Sequence, residues 1–463
     1  MASNASTAYR HTPPGPQGLP IIGSMLSLRN DPLSFFEGLR RSYGEIVRIT
    51  VLGQQLNLFM KPEYSYYFLV EHAANFLSAA ERDDMKRLLG EALLTTDGEV
   101  HRRQRRLVQP AFHKKRVEGY AEIMTRETSD MLDQWRPGQQ VDINREMQEL
   151  TLRIIVKSLF DLDLSAQSHE LSLLFTDVIE GNRPRTPGNM ILQELPFTAE
   201  ARAKEARNKL DAFVYEIIAK RRAEGVDHGD VLSMLLEAQD ESGGTMSDRE
   251  LRDQTMTLIA AGHETTSMAL SWTFHLLSQN PAVYDKLLTE VRDTLGDRNL
   301  PTVDDLARMP YLDSVITESM RIYSPVWAIN RTAINDFELG GYHFPAGSRC
   351  FISQWAVQRA PEIWGDPLNF RPERWTPEFK QNLPRGAYFP FGMGPRICIG
   401  MPLAEMEARL LLATILQRFT PREIPGWPVE PMPRVTLRMR HGLGVRLEPT
   451  TRVGAAVVAQ AGI

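Results

Sequence analysis

The chain has 463 residues, 42% of them hydrophobic and 24% charged, with a formal net charge of −5. That is enough apolar chain to enclose a sizeable cofactor, and the acidic balance without aromatic interleaving excludes a nucleic-acid binder. Two cysteines far apart in sequence, Cys350 and Cys398, give no disulfide framework and point to a reducing compartment.

The first twelve residues are polar and carry no apolar block, so no signal peptide or membrane anchor is expected, and a soluble cytoplasmic protein is. Residues 13–20 are proline-rich, which makes 1–20 a polar, stiff lead-in. Branched apolar residues Ile46, Val47, Ile49 and Val51, with Leu56, predict a short β region over 45–60. His101-Arg-Arg-Gln-Arg-Arg106 and His113-Lys-Lys-Arg116 then concentrate positive charge. From Val100 to about Phe419 helical spacing dominates, with helices predicted over 125–135, 145–160, 200–224 and 248–278.

Inside the last of these sits Ala260-Ala-Gly-His-Glu-Thr-Thr-Ser267, poor helix text in which a bulge or kink is expected. A missing Cβ at Gly262 would let a ligand lie against the backbone. His263-Glu264 opens a zinc-protease pattern, but Ser267 stands where the second His is required, which excludes that chemistry. Strand-like text returns over 331–339, 347–352 and 434–447, with Cys350 reading as a packing thiol. Residues 450–463 are an apolar tail, frayed or added as a strand. No repeat or linker divides the chain, so one domain over 1–463, mainly α with a minor β part, is expected.

The most informative segment is Phe391-Gly-Met-Gly-Pro-Arg-Ile-Cys398-Ile-Gly400. Gly392, Gly394 and Pro395 favour a tight irregular backbone that can curl beneath a flat ligand, and Phe391 can shield the sulfur. The run 399–419 reads as a helix with Pro402 in its first turn, whose N-terminal amides favour thiolate over thiol. Every fixed position of F-x-x-G-x-R-x-C-x-G is filled, and the decapeptide resembles the haem-binding loop of the cytochrome P450 family. The resemblance implies the cytochrome P450 fold, with haem b (iron protoporphyrin IX) between the long oxygen-binding helix and the helix following the Cys loop. Cys398 is then the axial metal ligand, with Phe391, Gly392, Arg396 and Gly400 around it.

Further positions match family elements. Ala261-Gly-His-Glu264-Thr265 resembles the A-G-x-[DE]-T oxygen-binding segment, which gives Glu264 and Thr265 the delivery of protons. Glu318-Ser-Met-Arg321 alone is an ordinary helical pair; it is similar to the family's E-x-x-R, with Arg374 as third partner, and implies a buried structural network. His101 and Arg105 match [W/H]-x-x-x-R, and with Arg331 and Arg396 are the implied donors to the haem propionates. The implied pocket includes Leu88, Leu89, Ala260, Ala261, Val326, Trp327 and Ile329, with a gating loop over 182–189, and suits a lipophilic small molecule.

The overall likeness is to soluble bacterial members that act on fatty acids, terpenoids or similar compounds. No flavin or iron–sulfur motif is present, so NAD(P)H electrons must arrive through an external redox protein. A ferredoxin, flavodoxin or flavin reductase would dock on the basic face near Arg102, Arg103, Arg106, Lys114 and Lys115. The resulting expectation is a monooxygenase that inserts one atom of O2 into its substrate. The alternatives are a haem-thiolate isomerase or peroxygenase, against which the acid–alcohol pair argues, and a haem-binding protein without turnover.

Overall fold

Alternating branched residues give the strands Ile46–Val51 and Gln54–Phe59, an antiparallel hairpin whose register pairs Val51 with Gln54. The two-residue turn between them, Leu52-Gly53, has φ of 50° and 77°, the paired left-handed geometry that matches strand twist. In this computed structural model residues 12–78, 83–181, 195, 197–239 and 244–450 are described. The first eleven residues, the 182–189 loop and the 453–463 tail lie outside the described residues.

The chain divides into two compact units. The first comprises Met1–Arg102, Val326–Asn369 and Pro377–Cys398; the second comprises Arg103–Pro325, Phe370–Thr376 and Ile399–Ile463. Each therefore draws on three separate stretches, and no single linker separates them.

The first unit is built on a five-stranded sheet in the order Ile46–Val51, Gln54–Phe59, Arg349–Ile352, Ile329–Ala333, Phe76–Leu77. Gln54–Phe59 runs parallel to Arg349–Ile352 and the other pairs are antiparallel. An aromatic cluster lies against it: Phe59 on Phe68 at 4.5 Å, Phe68 on Phe76 at 4.7 Å, and Phe337 stacked on Phe344 at 4.7 Å. Such pairs add about 0.5–1.5 kcal/mol each beyond the area they bury. Cys350 is buried there, its thiol donating to the Ser348 carbonyl at 3.6 Å, as a packing residue.

The second unit is helical. Its long helix Asp248–Gln279 starts with a capping box, Ser247 and Glu250 satisfying each other's orphan backbone N–H groups. It packs against Ile143–Phe160, Ala199–Glu224, Pro310–Ile322 and Met401–Arg418. A three-stranded antiparallel sheet, Gln140–Asp142, Gly444–Pro449 and Phe419–Glu423, closes one side of this unit.

Mainly α with minor β is therefore what forms, with several boundaries corrected. The helix after the Cys loop ends at Arg418 and the chain continues as strand Phe419–Glu423, because Thr420 and Pro421 follow. The strand text over 331–339 splits into Ile329–Ala333 and Phe337–Leu339, since Asn335 and Asp336 turn the chain and Asp336 accepts the Ala346 N–H at 2.8 Å. The text over 434–447 splits into Leu437–Met439 and Gly444–Pro449 around Gly442, at φ 65°. Among the described residues no helix is long and apolar enough to cross a membrane.

Candidate active site

In the first unit the chain from Phe389 to Cys398 is shaped by its own backbone. Gly392 and Gly394 sit at φ 72° and 65°. A Cβ at Gly394 would stand 1.9 Å from the Leu69 carbonyl oxygen, so only glycine fits there. Gly392 N–H donates to Phe389 O at 2.9 Å, a short 3-10 turn spans Gly394–Arg396, and Cys398 N–H donates back to Phe391 O at 2.9 Å. The loop thus closes on itself and leaves Cys398 exposed. Ile329 approaches it, its Cδ1 lying 3.9 Å from where a Cβ on Gly392 would be.

Arg396 is held before the cysteine by Leu93 O at 3.2 Å, by Thr96 O and by the Asp97 carboxylate. Arg331 is 5% exposed and donates to Ser78 Oγ at 3.2 Å and Asn330 O at 2.8 Å. His101 is buried in the helix Gly98–Val108, with Arg105 partly buried one turn on. Leu88 and Leu89 are buried at the end of the helix Asp83–Leu89, and Val326 is half-buried. Trp327 stacks on Phe36 at 6.1 Å and lies 5.6 Å from Phe351, which commits its ring to a core cluster.

In the second unit Asp248–Gln279 is one uninterrupted helix, so the expected bulge is absent. The hydroxyls that would open it are satisfied along the axis: Thr265 Oγ1 donates to Ala261 O at 2.8 Å and Thr266 Oγ1 to Gly262 O at 3.2 Å. Gly262 has a different reason from the one expected, because a Cβ there would meet Ile155 Cδ1 and Cγ1 at 2.7 Å; the glycine lets two helices approach. Between Leu251 and Phe274 every residue is buried except Ala260, Ala261, Gly262 and Thr265. One small, mostly apolar face with a single hydroxyl is what this helix presents.

Glu264 points elsewhere. It is 3% exposed, and Arg438 donates to both its oxygens at 2.7 and 2.8 Å while Thr436 Oγ1 donates at 2.7 Å. Burial alone would raise its pKa, but the Arg438 charge and these hydrogen bonds outweigh it and hold the carboxyl below the usual range. Burial lowers His263, which is thereby kept neutral, its Nδ1 2.9 Å from Ile259 O. The expected Glu318 network is present and larger than the motif implied. Arg321 clamps both oxygens at 2.8 Å, Arg374 adds 2.8 Å, the Arg371 N–H 3.1 Å and Trp375 Nε1 2.9 Å. Glu318 and Arg321 are fully buried, and complete pairing is what makes that tolerable.

Several of these partners were missed from sequence, Asp97, Arg438 and Trp375 among them. Asp97 had a readable signal, an acid directly before Gly98 at a helix start. Arg438, lying within strand Leu437–Met439, is a charge between two buried apolar residues. Trp375 carried none.

The cytochrome P450 family model matches residues 13–443. The chain belongs to the cytochrome P450 family. This P450 is 38% identical over 437 residues to cyclooctatin synthase of Streptomyces melanosporofaciens, covering 94% of the chain and 95% of that relative. It is 36% identical over 414 residues to cyclooctat-9-en-7-ol 5-monooxygenase of the same organism, covering 89% and 90%. It is 31% identical over 437 residues to pentalenene oxygenase of Streptomyces avermitilis, covering 94% and 97%. Among solved structures, retinoic acid-bound cyanobacterial CYP120A1 matches with a TM-score of 0.86 at 29% identity, over 95% of this chain and 99% of that one.

This P450 is accordingly a haem-thiolate monooxygenase that uses haem and O2. The residues fit the cofactor. An exposed thiol in a glycine-shaped loop suits a metal that arrives already chelated.

Proposed function

We propose that this P450 oxygenates a lipophilic cyclic terpenoid, with Cys398 as the haem-iron ligand and electrons from a separate redox protein. The setting of Cys398 carries the ligand assignment: it is exposed, closed by Phe391, and framed by two glycines that only a left-handed backbone explains. The substrate class rests on the relatives, two of which are named as oxygenases of pentalenene and of cyclooctat-9-en-7-ol. Bound haem supplies the oxygen activation and one-electron chemistry that no side chain offers.

The chain's own residues do the rest. In the second unit Ala260, Ala261 and Gly262 present a surface without polar side chains, suited to hydrocarbon, and in the first unit Leu88, Leu89, Val326 and Ile329 are apolar candidates for substrate contact. Thr265 holds an exchangeable proton at Oγ1, parked on Ala261 O. Glu264, ionised and clamped by Arg438, can accept a proton but has none to give until that clamp loosens. Proton delivery through it therefore requires Arg438 to release one oxygen. Arg105, Arg331 and Arg396 are cations, and His101 a ring N–H donor, suited to the haem carboxylates, and Lys115 with its neighbours offers a face for an acidic donor.

The test is spectroscopic. The reduced protein under carbon monoxide should show the long-wavelength Soret band of thiolate ligation and Cys398→Ser should lose it. Cyclic terpenoids should shift the resting iron to high spin where straight-chain fatty acids do not. A variant without the sulfur that keeps the band removes the ligand assignment, and a response to fatty acids alone removes the substrate class.

A further inference from the structure

Two of the arginines assigned to the haem carboxylates are joined by residues that no motif named. Asp97 immediately precedes the helix Gly98–Val108, and its carboxylate oxygens accept the Ser78 backbone N–H at 3.1 and 3.0 Å. Its Oδ1 also accepts from Arg396. The Ser78 hydroxyl in turn accepts from Arg331 at 3.2 Å. The result is a chain Arg331, Ser78, Asp97, Arg396 inside the first unit, with the Asp97 and Arg396 side chains 19% and 18% exposed. Arg396 is further gripped by the Leu93 and Thr96 carbonyls, so residues 93–97 hold its guanidinium from several directions two positions before Cys398.

A guanidinium is a planar fork, and donors fixed in one direction fix the plane for the others. We infer that Asp97 is the positioning residue of the cysteine loop: it orients Arg396 directly and Arg331 through Ser78, and supplies the negative charge that offsets this cationic pair. The consequence is twofold. The loop and both cations are set for the cofactor's carboxylates, which slows haem loss, and an anion among them opposes the arrival of an electron at the iron. This role rests on the haem reading above.

The experiment uses the full-length holoprotein with Asp97→Asn and Asp97→Glu. Haem release is followed by transfer to excess apomyoglobin, and the midpoint potential by spectroelectrochemical titration. Partners that orient ligands from behind are worth on the order of 10–100-fold in affinity. Asp97→Asn should therefore release haem roughly 10-fold faster and show a more positive potential, while Asp97→Glu restores most of both. Wild-type release and potential in Asp97→Asn overturn the assignment, as does equal haem loss in both variants with an unmoved potential. Ser78→Ala cuts only the arm to Arg331 and keeps its backbone N–H, so it serves where the Asn variant does not accumulate. It should release haem faster than wild type but more slowly than the full loss expected for Asp97→Asn, and an unchanged rate overturns the arm. A wild-type protein lacking the thiolate carbon monoxide spectrum sinks the haem reading itself; a normal spectrum with an indifferent Asp97→Asn sinks only this role.

Discussion

Three buried carboxylates in the second unit meet three different fates, decided by how many of their lone pairs find donors. Glu318 has donors on both oxygens from two arginines, a backbone amide and an indole. Glu264 has Arg438 and Thr436. Glu407 is 1% exposed on the helix Met401–Arg418, with no partner at Oε1 and only Thr266 as a hydrogen-bonding neighbour. Burial pushes its carboxyl well above the usual range, against a small lowering by Thr266. The unfolded chain loses this proton near pH 4.3, about its ordinary value, whereas the folded chain keeps it to a higher pH. Its contribution to stability is thus fully present below the unfolded value and is lost as pH rises through the folded one, by up to about 1.4 kcal/mol per pH unit. Glu407→Gln should melt close to wild type at pH 5 and above it at pH 7.5, in thermal scans of the holoprotein. Parallel pH profiles for the two would show that this acid does not stay neutral. At this scale the tight backbone of the Cys398 loop and the Glu318 network were legible because their motifs are local. The partner of Glu264 was not, because Arg438 lies 174 positions away and only the fold brings it in.

At the scale of elements, helical spacing located the long helices to within a few residues, since each buries a continuous apolar face. It misjudged the glycine. Read locally, Gly-His-Glu-Thr-Thr is helix-breaking text, yet hydroxyl back-bonding and packing from neighbouring helices hold 260–267 straight. What Gly262 supplies is clearance for Ile155. Two opposed terms then decide the effect of Gly262→Ala: helix propensity favours alanine by about 1 kcal/mol, and overpacking against Ile155 opposes it by about 1–3 kcal/mol. The change should destabilise by roughly 1 kcal/mol in the wild-type background and stabilise once Ile155→Ala has removed the clash. Chemical-denaturation midpoints of the four proteins complete the cycle. If Gly262→Ala is equally harmful in both backgrounds, the contact with Ile155 is not the reason for the glycine.

The whole molecule carries a net charge of −5, yet its basic residues are unevenly placed. Lys114 and Lys115 are exposed at the start of the helix Lys114–Gly119, and Arg102 and Arg106 are exposed on Gly98–Val108. Some of this charge is answered locally, Arg102 by Glu99, Arg103 by Glu250 at 2.9 Å and Lys114 by Glu118 at 3.7 Å. What remains is a local field of opposite sign to the whole, and on the proposed function it would orient an acidic redox protein even though the overall charge repels it. Such steering acts through solvent and weakens once the screening length, about 10 Å at 0.1 M salt, falls to roughly 3 Å at 1 M. Lys115→Glu should therefore slow second-order reduction by an acidic ferredoxin roughly 10-fold at low salt, with the gap to wild type closing as salt is raised. Substrate affinity read from the spin shift should not move, because Lys115 is an exposed surface base and not one of the pocket candidates. Stopped-flow reduction across an ionic-strength series measures both limbs, and a deficit that persists unchanged at high salt would mean that the substitution disturbs the protein itself and not the approach of its donor.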